Sequence, residues 1–200
     1  SGHYRKDVSP WLIAYILGVE WEDITVAYTD ESYPERNRYE GAYLYTTEDA
    51  TPFEAMLAQV GDSIIDYEST RYKQQRLIAF SNWPTTDPFL YPAEITNFFM
   101  KCAQVDVEHI RSTDAFASYH VYPYYPDYMN YVLNPVELEM TDPAWPDGAP
   151  SPAVSSSSGV PYEEALSGDT AADYYDRDGN VNTYYAYLKM LNNHHTMPVV

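Results

Sequence analysis

A chain of 200 residues fits one domain of ordinary size and is long enough to bury a core. Its net charge of −19, from 30 acidic and 11 basic residues, argues against nucleic acid and anionic membrane surfaces as partners, because phosphate would be repelled. No apolar run reaches the ~18 residues of a membrane span, so no membrane insertion is expected, and the single cysteine, Cys102, excludes an internal disulfide framework.

The polar start, Ser1 to Lys6, predicts no signal peptide. Pro10 to Gly18 is a near-continuous apolar run, the pattern of a strand buried on both faces of a parallel sheet, with Glu20 and Trp21 at its carboxyl end. Thr51-Pro52-Phe53-Glu54 announces a helix: Thr51 suits the N-cap, Pro52 the first helical position, and Glu54 completes a capping box. Phe53, Met56, Leu57, Val60 and Ile64 then follow at helical spacing, and the helix should run to about Gln74.

Arg76 to Phe80 reads as a second strand, ending in Ser81-Asn82-Trp83. Pro92 to Gln104 is helical or irregular. Phe116 to Val121 is a third strand, ending in His120-Val121-Tyr122. A last helix is expected over Asn182 to Asn193, and Met197 to Val200 begins a fourth strand. Alternation of apolar strands with helices predicts an α/β fold with a parallel sheet in one domain spanning 1–200. Between Asn134 and Asn180 the composition shifts to six prolines, a serine run and ten acidic residues against one basic residue. This segment is expected to be an inserted surface loop that buries little, mobile somewhere between Pro150 and Asp169.

Polar clusters directly after three strands point to one site, because parallel strands share a carboxyl-end face where ligands bind. Those clusters supply Glu20 as the catalytic candidate and Trp21, Asn82, Trp83, His120 and Tyr122 as substrate-binding candidates. The 22 tyrosines admit either amphipathic packing or a sugar-stacking cleft. Asp106-Val107-Glu108-His109 has metal-capable residues without a partner set at recognisable spacing, so no metal is expected there. Asp176 to Asn180 begins like a calcium loop, then has Val181 where glycine is needed. His194 and His195 sit near the end of the last helix, where positive charge is favourable. No phosphate-binding glycine loop occurs, and no cofactor is expected.

The segment Ile13 to Trp21 resembles strand four of the clan A retaining glycoside hydrolases, whose Gly-Asn-Glu-like strand end carries an acid/base glutamate. Ser118-Tyr119-His120-Val121-Tyr122-Pro123 resembles the sixth strand of that clan, and similar strings occur in bacterial proteins related to the glycoside hydrolase family two barrel. The resemblance implies a partial (β/α)8 (TIM) barrel covering about strands four to seven, since a whole barrel takes roughly 250 residues. It implies a parent enzyme that hydrolyses a glycosidic bond with retention, with Glu20 as general acid/base, a nucleophile beyond Val200, and carbohydrate as partner. This piece alone would be inactive. Val19 replaces the usual asparagine, which removes a hydrogen bond to the sugar and keeps open the alternative of a non-catalytic glycan-binding module. The aromatic surround is expected to desolvate Glu20 and raise its pKa. A piece with open sheet edges is also expected to self-associate.

Overall fold

The computed structural model describes residues 6–91, 96, 101–112, 115–122, 159–166, 177–179 and 182–200. Its centre is a parallel sheet of β1 (Ala14–Leu17), β3 (Leu77–Asn82) and β6 (Ala115–Tyr119), in the order β1-β3-β6. Val199 bridges Ala117 in parallel, and Val200 N–H donates to Ala117 O, so the carboxyl-terminal residues lie beside β6 as the expected fourth strand begins. Two two-stranded pairs complete the strands. β2 (Tyr45–Thr46) runs antiparallel to β5 (Ile110–Arg111), and β4 (Phe89–Leu90) runs parallel to β7 (Val160–Pro161).

The partial (β/α)8 barrel is therefore not what the chain forms. Among the described residues there is a mixed α/β arrangement of small parallel and antiparallel sheets with four α-helices, and the sheets do not close into a barrel. The apolar runs correctly mark parallel strands. Closure depends on pairing between distant strands, which no local pattern encodes.

Helix α2 (Pro52–Tyr72) shows how local chemistry fixes an element. Thr51 Oγ1 accepts from Glu54 N at 3.3 Å, and Glu54 Oε2 accepts from Thr51 N at 2.9 Å, which closes the capping box. The helix ends at Lys73, whose φ of 56° is left-handed. Gly61 lets α2 approach the sheet closely, because a Cβ there would press on Phe80 and Ile78. By strand alternation Tyr15 and Leu17 share that face. On the opposite face Ile16 is 52% exposed. The reading of the first strand as buried on both faces is thus corrected: among the described residues β1 is an edge strand, and Ile13 just before it is 78% exposed.

A helix not expected from the sequence, α1 (Asp23–Ser32), packs on α2, where Asp30 Oδ1 accepts from Phe53 N at 2.8 Å. The last helix, α4 (Thr183–His194), is capped by Asn182, whose Oδ1 accepts from Tyr185 N at 3.0 Å. Short helix α3 (Tyr162–Ala165) follows β7 directly.

A buried ion pair links several of these elements, and a buried thiol lies next to it in the chain. Lys101 is buried and donates to Asp87 Oδ1 at 2.8 Å and to three backbone carbonyls, while Tyr91 and Tyr187 donate to Asp87 Oδ2 at 2.8 and 2.7 Å. Every polar group of this ion pair is matched, which a buried pair requires. Cys102 is fully buried, and burial pushes its thiol up to about 12.

The acidic, serine-rich segment is only partly open to description. Gly159 to Leu166 contributes β7 and α3, buries Ala165, and stacks Tyr162 on Tyr91 with centroids 6.1 Å apart. These residues form a short strand and helix where a loop is expected, and Ala165 is the one buried residue among them. The rest of the stretch expected to be mobile, 150–158 and 167–169, lies outside the described residues.

Candidate functional site

The site begins with a turn. β1 ends at Leu17, and Gly18 takes a φ of 90°, a conformation L-residues rarely adopt. The turn folds the Trp21 indole back over Gly18, where a Cβ would collide with the ring. Trp21 Nε1 donates to Ser81 O at 2.8 Å, and Trp83 Nε1 donates to Trp21 O at 2.7 Å. Trp21 also meets Phe53 edge-on at 5.3 Å. These contacts tie the end of β1 to the end of β3 and aim Glu20 across the sheet.

Glu20 lands beside residues about 100 positions away. Its Oε1 accepts from His120 Nδ1 at 3.2 Å and from the Tyr122 hydroxyl through a short hydrogen bond. With Nδ1–H donated to Glu20, His120 Nε2 accepts from Ser81 Oγ at 3.3 Å. The connectivity serine–imidazole–carboxylate is that of a hydrolytic triad, yet Ser81 is 0% exposed and no substrate could reach its oxygen. Ser81 instead fixes the imidazole, and the reachable groups are Glu20, His120 and Tyr122.

The ionisation of Glu20 runs opposite to the sequence expectation. The Tyr122 hydrogen bond holds its carboxyl below the ordinary value, His120 adds to this, and the intervening desolvation is too weak to reverse it. Glu20 is partly exposed, so burial has little leverage.

The six expected site residues thus divide. Glu20, His120 and Tyr122 are brought together with access to solvent. Trp21 and Trp83 adjoin them, with both indole N–H groups committed to backbone. Asn82 is fully buried: its amide donates to Val105 O at 2.8 Å and accepts from Trp83 N and Thr86 Oγ1. Val19, at the position of the missing asparagine, is 64% exposed. Two cavities of about 550 Å³ lie elsewhere, one along Tyr15 and α2, the other around Tyr33, Arg36 and Tyr39. The shallow strand-end site is preferred to either as the functional centre because it gathers ionisable groups in hydrogen-bond contact.

A second cluster lies on the other face of the sheet end, unforeseen in the sequence. Asp106 caps the turn Val107–His109, Glu108 lies within it, and His194 and His195 close α4. His194 Nε2 donates to Asp106 Oδ2 at 2.9 Å, and His109 Nδ1 donates to Glu54 Oε2 at 2.8 Å. His195 Nδ1 donates to Glu108 Oε1 at 3.2 Å, while its Nε2 accepts from the Tyr119 hydroxyl at 2.9 Å. Glu108 also takes Thr196 N, Thr196 Oγ1 and Arg111. The capping residue Glu54 therefore serves twice. The signal was undetectable because the partners are up to 88 residues apart.

Comparison with known proteins gives no match: no family model fits the chain, and no curated protein or solved structure is significantly similar to it. Among the described residues no helix is long and apolar enough to cross a membrane.

Proposed function

We propose that the chain acts on carbohydrate, with glycosidic-bond chemistry centred on Glu20, as the resemblance to the clan A retaining glycosidases implies. The observation that carries this reading is convergence. Residues picked from strand ends far apart in sequence meet around one accessible carboxylate, with His120 and Tyr122 both bonded to Glu20 Oε1. The ionised resting state of Glu20 suits the second half of a retaining reaction, in which the acid/base carboxylate draws a proton from water. In the first half it must donate a proton, so Tyr122 has to release it when substrate enters.

Retention also needs a second carboxyl about 5–5.5 Å away. The position usually held by an asparagine that contacts the sugar carries Val19 instead, and this favours a second reading, a site that binds glycan without cleaving it. One experiment separates the two: calorimetric titration with oligosaccharides, run beside turnover of aryl glycosides. Hydrolysis requires turnover that Glu20→Gln lowers about 1,000-fold or more on poor leaving groups and less on good ones. The alkaline limb of kcat/KM, set by loss of the general acid's proton in the free chain, should fall below the ordinary glutamate pKa of 4.5, since the free carboxyl is held down. Binding without turnover, weakened by Tyr122→Phe, supports the second reading. Neither binding nor turnover overturns both.

The edge of β1, unpaired among the described residues, and the exposed Trp11, Ile13 and Ile16 further support self-association of the chain. Sedimentation equilibrium showing a monomer across micromolar concentrations would remove that part of the proposal.

A further inference from the structure

We propose that Asp106, His194 and His195 form a binding site for one divalent transition-metal ion of the zinc class, tying the end of α4 to the turn Val107–His109. The first argument is geometry. One ligand atom from each of the three side chains lies within 4.8 Å of the other two. Ligands on a tetrahedral zinc with 2.0–2.1 Å bonds sit roughly 3.3 Å apart, so small side-chain shifts complete the site. His109 Nε2, 3.9 Å from Asp106 Oδ2, is placed to approach as a fourth donor.

The second argument is the surrounding shell. Metal-bound histidines donate their other ring N–H to a carboxylate, which fixes the tautomer and turns the lone pair toward the ion. His195 has this arrangement: Nδ1 donates to Glu108 and Nε2 carries the lone pair, now satisfied by the Tyr119 hydroxyl. His109 has it as well, with Nδ1 on Glu54 and Nε2 turned toward Asp106. Glu108 is itself anchored by Thr196 and Arg111. Two carboxylate–histidine pairs converging on one aspartate exceed what holding a helix end requires.

The third argument is the donor set and its access. Imidazole nitrogens with one carboxylate oxygen select zinc-class ions over magnesium or calcium, which take oxygen ligands. Asp106 and His195 are buried, whereas the His194 side chain is 12% exposed and offers an entry.

The test uses the full chain, stripped with chelator and dialysed metal-free. Titration with Co²⁺ should give the visible d–d bands of a four-coordinate site, saturating at one ion per chain. Zn²⁺ should abolish those bands and raise the thermal midpoint, while excess Mg²⁺ or Ca²⁺ should do neither. Removing an outer-shell partner costs about 10- to 100-fold in metal affinity, which sets the expectation for Glu108→Gln. Asp106→Asn and His194→Gln should lose at least as much, with circular dichroism checking that each stays folded. His120→Ala, on the opposite face, should bind cobalt like the parent chain. Absence of cobalt bands in the folded parent chain overturns the proposal whatever the variants do. So does unchanged binding in Asp106→Asn or His194→Gln.

Discussion

The two clusters at the end of the parallel sheet use the same side-chain chemistry in different surroundings. Tyr119 and His120 are consecutive on β6 and its exit, so alternation sends them to opposite faces. On one face Glu20, His120 and Tyr122 are reached by water. On the other, Asp106, Glu108, His194 and His195 are enclosed with Tyr119. A carboxylate in the open cluster can exchange its partners for a ligand at small cost. In the closed cluster, removing a partner with nothing put in its place leaves a buried charge unmatched. The comparison therefore separates a surface suited to chemistry from an interior suited to holding the fold.

The sharpest way to break this comparison is to remove one carboxylate from each side. Glu108→Ala strands His195, Thr196 and Arg111 at once and should cost roughly 3–5 kcal/mol in urea unfolding. Next comes the turn that aims the open cluster. Gly18→Ala places a Cβ against Trp21 at a left-handed φ and should cost about 1–3 kcal/mol, with a changed near-ultraviolet tryptophan signal.

Asp30 sharpens the comparison, because it is a largely enclosed carboxyl held by a backbone N–H without an imidazole. Desolvation raises its pKa to about 6, and the charge of Glu54 adds to this. Its folded pKa lies above the unfolded one, so the folded state binds the proton more tightly. Its contribution to stability is therefore present at low pH and is lost as pH rises from about 4 through about 6. Asp30→Asn should flatten that slope and stabilise the chain at neutral pH by about 1 kcal/mol, read from urea midpoints across pH. The smallest effect belongs to Glu20→Gln, under about 0.5 kcal/mol. A loss there as large as that of Glu108→Ala would mean the open cluster is structural after all.

What could be read from the chain follows the range of the interaction. The start of α2 was legible because Thr51, Pro52 and Glu54 act within one turn. The sheet strands were legible because apolar runs mark them, and with them came the meeting of Glu20, His120 and Tyr122. Helix α1 was not, since only Val26 and Ala27 of its ten residues are buried and no apolar stripe announces it. The pair β2 and β5 is two residues per strand, too short for alternation to register. The barrel failed as an expectation because closure is a long-range property. The histidine cluster was hidden because α4 and the turn Val107–His109 meet only in the folded chain. Glu20 was assigned the wrong direction of pKa shift because the aromatic that matters, Tyr122, meets it with a hydroxyl rather than a ring face.

Cys102 turns the core into its own clock. The thiol is fully enclosed, and its pKa of about 12 leaves almost no thiolate at neutral pH, so a thiol reagent can modify it only in molecules that have opened. Because it is the sole cysteine, the labelling signal comes from one place. At low reagent concentration the rate reports how often the core is open at equilibrium, and at high concentration it reports how fast the core opens. Fluctuations of the native interior can thus be timed in the unmodified protein, without introducing a probe.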